Sequence, residues 1–407
     1  MVLGLRLLVQ AGTLLLVARM LGPHDFGAFA GVAALAVMLG TLSTFGTHIV
    51  LLAEVSREPQ RRASVLPFAL STTLICGSLL FALYLLLATT LLGEAGIGIG
   101  VLIALGVAEL ILQPLLNLSG AEHQGHGRIA TSQLLITLPL ALRLLAAGTV
   151  WLLHPVDPLR DYAWGYLGAS LLALGVATLS LRQAWPALRD WRLPRLAELR
   201  HAAGYAVLNL TALGPAELDK TLALKLLPLA MAGVYAAGAR VIGALTLPVI
   251  AMMLSTMPRL FREGQTDHAR SARLLRWVFA ATLGYSLLLA AALWLAAPLF
   301  DLLFGPRYQA IGETIRWLTL AVPGMALRIA AGSALMALGK PWMRVGFEVS
   351  GLAVLTAAAM LLAPRSTLSG MPLALACSEW SMAMLGWLLI GASRRWNDSP
   401  RTASPVA

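Results

Sequence analysis

About twelve apolar runs, each as long as a membrane-spanning helix, are the feature that most constrains the fold of this 407-residue chain. A transmembrane helix needs about 20 consecutive and mostly apolar residues. Runs of that kind follow one another from residue 2 to residue 391, and short polar connections separate them. Only 12% of the residues are charged, whereas a soluble domain has about 25%. The sequence therefore predicts an all-α polytopic membrane protein with about twelve transmembrane helices.

The two halves of the chain resemble each other. The segment 91–128 begins with Leu-Leu-Gly and ends with Gly-Arg, and the segment 303–340 begins with Leu-Phe-Gly and ends with Gly-Lys. The spacing between the two glycines is the same in both segments. This duplication predicts two six-helix bundles related by a pseudo-two-fold parallel repeat, an arrangement that places a binding site between the bundles.

A polar segment divides the chain between these bundles. Residues 183–200 mix Trp and Leu with Arg, which is typical of an amphipathic segment that lies on a membrane surface. We therefore predict an N-terminal six-helix bundle at 1–182, an amphipathic cytoplasmic linker at 183–202, a C-terminal six-helix bundle at 203–392 and a cytoplasmic tail at 393–407.

The basic residues indicate how the chain is oriented. The net charge is +11, and most of the Arg and Lys residues fall in alternate connections on one side of the membrane, together with both termini. The connections on the other side hold only Arg160, Arg307 and Arg365. The positive-inside rule then places both termini in the cytoplasm. The basic charge is explained by topology and by contact with anionic lipids, so we expect no nucleic acid partner.

Four basic residues lie within the predicted helices, where a charge is costly and faces either a wet cavity or an ionic partner. They are Arg143, Lys220, Arg240 and Arg328. Two interpretations remain open: these side chains line a substrate cavity, or they form ion pairs within one bundle. A cavity lined with arginine suits an anionic head group, because the planar guanidinium binds phosphate oxygens in pairs.

Acidic residues in the same helices are available as partners. They are Glu109, Glu217, Asp219 and Glu379. Glu217 and Lys220 are three residues apart on one helix face, which favours a local salt bridge. Glu379 lies near the middle of the last span and is our first candidate for proton or sodium coupling, with Asp219 and Glu109 as further candidates.

Other motifs do not predict a cofactor or a catalytic site. His123 and His126 lie one helical turn apart but have no third ligand nearby, so we predict no metal site. The glycines at 96–100 follow no strand, so they are not a dinucleotide fingerprint. The chain has no P-loop, which excludes ATP as the direct source of energy for transport. We expect no cofactor and no enzymatic activity.

Several motifs resemble a known family. Residues 18–35, ARMLGPHDFGAFAGVAAL, and residues 54–58, EVSRE, resemble the helix 1–2 signature of the polysaccharide (O-antigen) transporters of the multidrug/oligosaccharidyl-lipid/polysaccharide exporter superfamily. Looser matches follow in the second half, namely LDK at 218–220, AGVY at 232–235, MPRL at 257–260, LFGPRY at 303–308 and ALGKP at 337–341. The resemblance extends over about residues 18 to 345.

This resemblance implies a function. The protein would flip an undecaprenyl-pyrophosphate-linked oligosaccharide, a repeat unit of O-antigen or another surface polysaccharide, from the inner to the outer leaflet by alternating access. Glycosyltransferases and a polysaccharide polymerase would be its partners. A lipid II-type flippase is an alternative with the same chemistry.

Two other classes of protein fit the sequence less well. A multidrug or cation antiporter of the same superfamily would need acidic residues in the first bundle, where Glu109 is the only embedded acid. A polytopic glycosyltransferase or polymerase would need catalytic carboxylates on a substantial outer loop, and the outer loops of this chain are short. We therefore expect a flippase.

Overall fold

The computed structural model of the protein describes residues 2–93, 96–181, 183–253, 255–256 and 268–398. Over these residues the chain is almost entirely helical and has no β-strand. The family-like segment at 257–260 lies outside the described residues.

The N-terminal half consists of seven helices and one π-helical turn. They are α1 (Val2–Ser43), α2 (Thr47–Arg57), α3 (Arg62–Leu91), α4 (Ile99–Val107), the π-helical turn Ala108–Leu112, α5 (Gln113–Gly125), α6 (Ile129–Leu153) and α7 (Pro158–Leu179).

The C-terminal half continues with α8 to α15. They are α8 (Leu196–Leu226), α9 (Leu229–Ala244), α10 (described over 247–253), α11 (His268–Phe304), α12 (Ile311–Thr319), α13 (Val322–Ala337), α14 (Pro341–Leu362) and α15 (Gly370–Asp398).

The membrane-spanning helices confirm the predicted fold class. Within the described ranges, 9 helices are long and apolar enough to cross a membrane, or 10 when α12 and α13, bent by 47°, are taken as one span. The prediction of about twelve spans also includes α8, which is 31 residues long but carries several charges. It further divides α1 at Gly22, whose φ of 73° and ψ of 170° are not helical. Each arm of α1 has about 20 residues, which is enough for one crossing.

The two halves meet where α1 packs along α8 and α9. Three glycines, which we call the glycine seam, allow this contact: Gly27 and Gly31 on α1 and Gly233 on α9. A Cβ atom at Gly233 would lie 1.9 Å from the carbonyl oxygen of Pro23, and one at Gly27 would lie 2.2 Å from that of Leu229. The backbones are therefore in direct contact, because no larger residue fits between them.

The segment between the halves is attached to the N-terminal half. Trp185 and Trp191 pack against the core formed by α2, α3 and α5. The Arg62 guanidinium donates to the carbonyl oxygens of Gln183 and Ala184 at 2.9 and 3.1 Å. Helix α8 begins at Leu196, inside the predicted linker. The predicted domain boundaries remain a prediction.

Candidate functional site

In the N-terminal half, Arg143 on α6 is paired with Glu109. Its Nη2 atom donates to Glu109 Oε1 at 2.8 Å and to Ser170 Oγ at 3.0 Å. The Tyr166 hydroxyl donates to the same Glu109 oxygen. The guanidinium also lies 3.6 Å from the centre of the Tyr166 ring, within the range of a cation–π interaction. We call Arg143 and Glu109 the N-terminal ion pair.

The π-helical turn explains how Glu109 reaches this position. A π-turn adds one residue to a helix and changes the direction of the side chains that follow, and such turns are frequent at functional sites. On the opposite side of the turn, a Cβ atom at Gly40 of α1 would lie 2.6 Å from the Glu109 carbonyl oxygen. Gly40 therefore lets α1 pack closely against the helix that carries the carboxylate.

The C-terminal half holds a larger group of buried charges. Arg328 Nε on α13 donates to Glu379 Oε2 on α15 at 2.6 Å. Arg328 Nη1 lies 3.9 Å from Glu348 Oε1 on α14, which also accepts from Arg344 Nε at 3.0 Å. We call these four residues the C-terminal cluster. Two positive and two negative charges balance each other there.

Asp219 and Lys220 lie next to each other on α8 and are both buried. Asp219 Oδ2 accepts from the Tyr235 hydroxyl at 2.8 Å. Lys220 Nζ lies 3.4 Å from Asp219 Oδ1 and 3.6 Å from Glu217 Oε2, and it donates to the carbonyl oxygen of Ala216. The lysine charge is therefore compensated by carboxylates of its own helix.

Arg240 on α9 has a different environment. It is half-buried at the contact between the halves, with its guanidinium carbon 5.5 Å from the ring centre of Phe26 and 5.9 Å from that of Phe29. Its charge acts on Glu217 from a distance, but in the described part of the chain no carboxylate lies within 4.0 Å of it. Among the four predicted cations, it alone lacks an ion-pair partner in those residues.

The predicted site residues thus differ in the partners that they contact. Arg143 and Glu109 meet in one half, and Arg328 and Glu379 meet in the other. Whether any of these residues lines a substrate cavity or couples an ion remains a prediction.

Sequence reasoning missed several participants. Glu348 is an acid within an apolar run, and that signal was sufficient to find it. The aromatic partners Tyr166, Phe26 and Phe29 carry no such signal, because aromatic residues in apolar helices are ordinary. Their role becomes visible only when the helices are packed.

An apolar groove lies in the C-terminal half, and none of these charged residues lines it. It has a volume of about 580 Å³ between α11, the α12–α13 bend and α15, and its lining includes Trp294, Leu320 and Trp380. These three side chains are exposed and apolar. The groove therefore offers little to a charged head group, and the charged residues are the better guide to the site.

Comparisons with known proteins agree with this architecture. The sequence profile of the family described as "Polysaccharide biosynthesis protein" matches residues 1–264. An inward-facing multidrug resistance MATE transporter of the MOP superfamily superimposes with a TM-score of 0.79 at 15% identity, covering 97% of this chain and 96% of that one. No curated protein sequence matches the chain.

Two further solved structures share the fold. The lipid II flippase MurJ in an inward closed conformation gives a TM-score of 0.72 at 10% identity, covering 95% of this chain and 86% of that one. A MOP superfamily transporter from Pyrococcus furiosus, described as having a binding pocket of reverse polarity, gives 0.64 at 16% identity with coverage of 97% and 93%. The resemblance seen in the sequence is confirmed: the chain has the two-lobe helical fold of MOP superfamily transporters and belongs to the polysaccharide biosynthesis protein family.

Proposed function

We propose that the protein is a flippase that moves an undecaprenyl-pyrophosphate-linked oligosaccharide from the inner to the outer leaflet of the bacterial inner membrane. The family and the transporter fold support transport of a lipid-linked glycan. In this proposal both termini are cytoplasmic, the halves open alternately to the two sides, and glycosyltransferases and a polymerase act before and after transport.

The observation that carries the proposal is the state of Arg240. A guanidinium that lies at the contact between two halves, close to the rings of Phe26 and Phe29, and has no ion pair among the described residues is available to bind an anion. A pyrophosphate supplies the oxygens that its planar fork binds in pairs. Lys220 on the neighbouring helix α8 would join this site only by exchanging Asp219 and Glu217 for a substrate phosphate. The lipid tail remains in the bilayer while the head group passes.

Arg143 and Arg328 have a second role in this proposal. Each is held by a carboxylate of its own half, so they keep the halves rigid while the contact between them opens. Exchange of these partners for substrate phosphates would make them further cavity residues, as the sequence predicts.

Ion coupling is assigned to the buried carboxylates Glu379, Asp219 and Glu109. Glu379 is the best placed of them to take up a proton. One of its oxygens accepts from Arg328, and the other is buried without a hydrogen-bond partner in the described residues.

Lipid analysis of a strain that lacks the gene tests the proposal. We expect undecaprenyl-linked oligosaccharide to accumulate on the cytoplasmic side and the surface polysaccharide to disappear. Accumulation of lipid II would favour the alternative flippase function. Normal glycan together with increased drug sensitivity would overturn both and favour an antiporter.

Complementation with point variants tests the site. Arg240→Gln removes the charge without breaking an ion pair, so we expect normal amounts of protein and a loss of transport of at least about tenfold. Arg160→Gln, the same change at an exposed position of α7, is the matched control and should complement fully. Full transport by Arg240→Gln would contradict the assignment of the anion site.

A further inference from the structure

A second charged site lies at the end of the N-terminal half, where α5 ends and α6 begins. It is a cavity of about 170 Å³ lined by Arg62, Glu122, His123, His126 and Arg128, together with Leu181 and Gln183. We call it the α5–α6 pocket. The groups discussed above for transport do not line it.

Arg62 lines this pocket and is held in place by hydrogen bonds within the chain. Its Nε donates to Glu122 Oε1 at 2.6 Å, and its Nη2 holds the carbonyl oxygens at the start of the linker. All three guanidinium nitrogens therefore donate to intramolecular acceptors, since Nη1 also donates to Gln183 Oε1 at 3.3 Å. The guanidinium fixes the Glu122 carboxylate in one orientation and leaves the second carboxylate oxygen for another donor.

That second oxygen has no donor of its own. Glu122 is 3% exposed, and its Oε2 atom is buried without a hydrogen-bond partner in the described residues. Leaving a buried acceptor unpaired costs about 1–3 kcal/mol, and more when the acceptor is charged. The pocket thus presents a preorganised acceptor for an ammonium or a hydroxyl group.

The other side of the pocket is positive. Arg128 is half-buried, and its guanidinium forms no ion pair within 4.0 Å in the part of the chain that the structure describes. It is also the N-cap of the 25-residue helix α6, which has no side-chain cap. The first N–H groups of a helix carry a partial positive charge. An anion beside Arg128 is therefore stabilised both by the guanidinium and by the start of α6.

We propose that the α5–α6 pocket binds a phosphate ester that carries a hydrogen-bond donor, either ammonium or hydroxyl, close to the phosphate. Arg128 and the start of α6 hold the phosphate oxygens, and Glu122 Oε2 accepts from the donor. Two sources have this chemistry: a phospholipid head group such as phosphoethanolamine, and the sugar-phosphate end of a lipid-linked oligosaccharide. Binding of such a phosphate ester does not rest on the proposed transport function, whereas assignment of the pocket to the sugar phosphate does.

Lipid binding to the full-length protein in detergent tests this proposal, with native mass spectrometry as the readout. Dihexanoyl phosphatidylethanolamine and dihexanoyl phosphatidylcholine carry the same phosphate, but only the first has N–H donors. We expect the ethanolamine lipid to bind about tenfold more tightly, since a hydrogen bond to a charged group contributes a factor of that size. Equal binding of the two lipids by the wild-type protein would overturn the proposal.

Variants separate the pocket from unspecific lipid contacts. Arg128→Gln breaks no ion pair among the residues that the structure describes, and it should weaken binding of the ethanolamine lipid about tenfold. Arg189→Gln, the same change at a residue whose side chain is 87% exposed in the segment 183–195, should have no effect. Glu122→Gln should reduce the preference for ethanolamine over choline. Because Glu122→Gln also weakens the contact with Arg62, Arg128→Gln is decisive, and unchanged binding in that variant would overturn the proposal.

A competition experiment identifies which of the two phosphate esters occupies the pocket. Undecaprenyl-pyrophosphate-linked N-acetylglucosamine is added to the protein loaded with the ethanolamine lipid. Displacement that depends on Arg128 assigns the pocket to the sugar phosphate. Retention of the lipid assigns it to the phospholipid head group. Both results support the pocket and distinguish its occupants.

Discussion

Arg328 in the C-terminal cluster and Arg240 at the contact between the halves lie in opposite kinds of environment. Arg328 is 5% exposed and lies against Glu379 and Glu348. Arg240 is half-buried against two phenylalanine rings and has no carboxylate within 4.0 Å in the described residues. The cluster joins three helices of one half, whereas Arg240 lies where the two halves meet. A compensated charge stabilises a half, and an uncompensated charge at the contact is available to a ligand.

The largest expected effect comes from breaking the C-terminal cluster. Arg328→Met leaves Glu379 buried without its partner, and breaking a buried ion pair on one side costs about 3–5 kcal/mol. We expect the free energy of unfolding, measured by SDS titration of mixed micelles, to fall by that amount. The double variant Arg328→Met with Glu379→Gln should recover most of the loss. A single variant as stable as the wild type would show that the cluster does not stabilise this half.

The N-terminal ion pair should tolerate the same change better. In Arg143→Met, Glu109 keeps the hydrogen bond from Tyr166, and a hydrogen bond to a charged group contributes about 1.5–3 kcal/mol. The loss of unfolding free energy should therefore be smaller than that of Arg328→Met by about this amount. Adding Tyr166→Phe should bring the loss up to that of the C-terminal variant. A loss in Arg143→Met as large as in Arg328→Met would contradict the role given to Tyr166.

Arg240→Met tests the second environment of the comparison, the one without a nearby carboxylate in the described residues. No ion pair is broken, and only cation–π contacts of about 0.5–1 kcal/mol each are removed. The unfolding free energy should fall by about 1–2 kcal/mol at most in the same titration, while transport falls as in Arg240→Gln. A destabilisation equal to that of Arg328→Met would mean that Arg240 is a structural residue too.

The smallest effect is expected at the surface, where Glu198 at the start of α8 pairs with Arg192 at 2.7 Å. Hydrogen bonds from the Arg192 guanidinium hold the pKa of Glu198 below its usual value. A lowered pKa contributes stability above the unfolded-state value near 4 and loses it as the pH falls through the lowered value. The stability difference between wild type and Glu198→Gln, about 0.2–1 kcal/mol at pH 7, should begin to fall below about pH 4 and disappear as the pH passes through the lowered pKa of Glu198. A difference that persists at low pH would exclude this ion pair as its cause.

The helices were predictable because their apolar length is a local property of the sequence. The predicted apolar runs lie mainly on helices of the described structure, but two of them continue across a break: 27–52 covers the end of α1 and the start of α2, and 311–338 covers α12 and α13. The family resemblance was predictable for the same reason, since it rests on short motifs such as the one at 18–35.

The pairing of the charges was not predictable in the same way. Embedded charges are visible in the sequence, but the partner of Arg143 lies 34 residues away and that of Arg328 lies 51 residues away. Only packing decides which acid meets which base. The π-turn that positions Glu109 also escaped notice, because a helix and a helix with one added residue have the same apolar pattern.

The glycine seam has a consequence for the permeability of the membrane. Where Gly27 and Gly233 touch, main chain meets main chain, and no side chain can rotate to open a narrow path. At this level the two halves are therefore either fully in contact or fully separated, without a partly open state. While these two backbones are in contact, no chain of water molecules can pass between α1 and α9 at Gly27 and Gly233, so in the proposed transport cycle this contact would help to preserve the membrane potential.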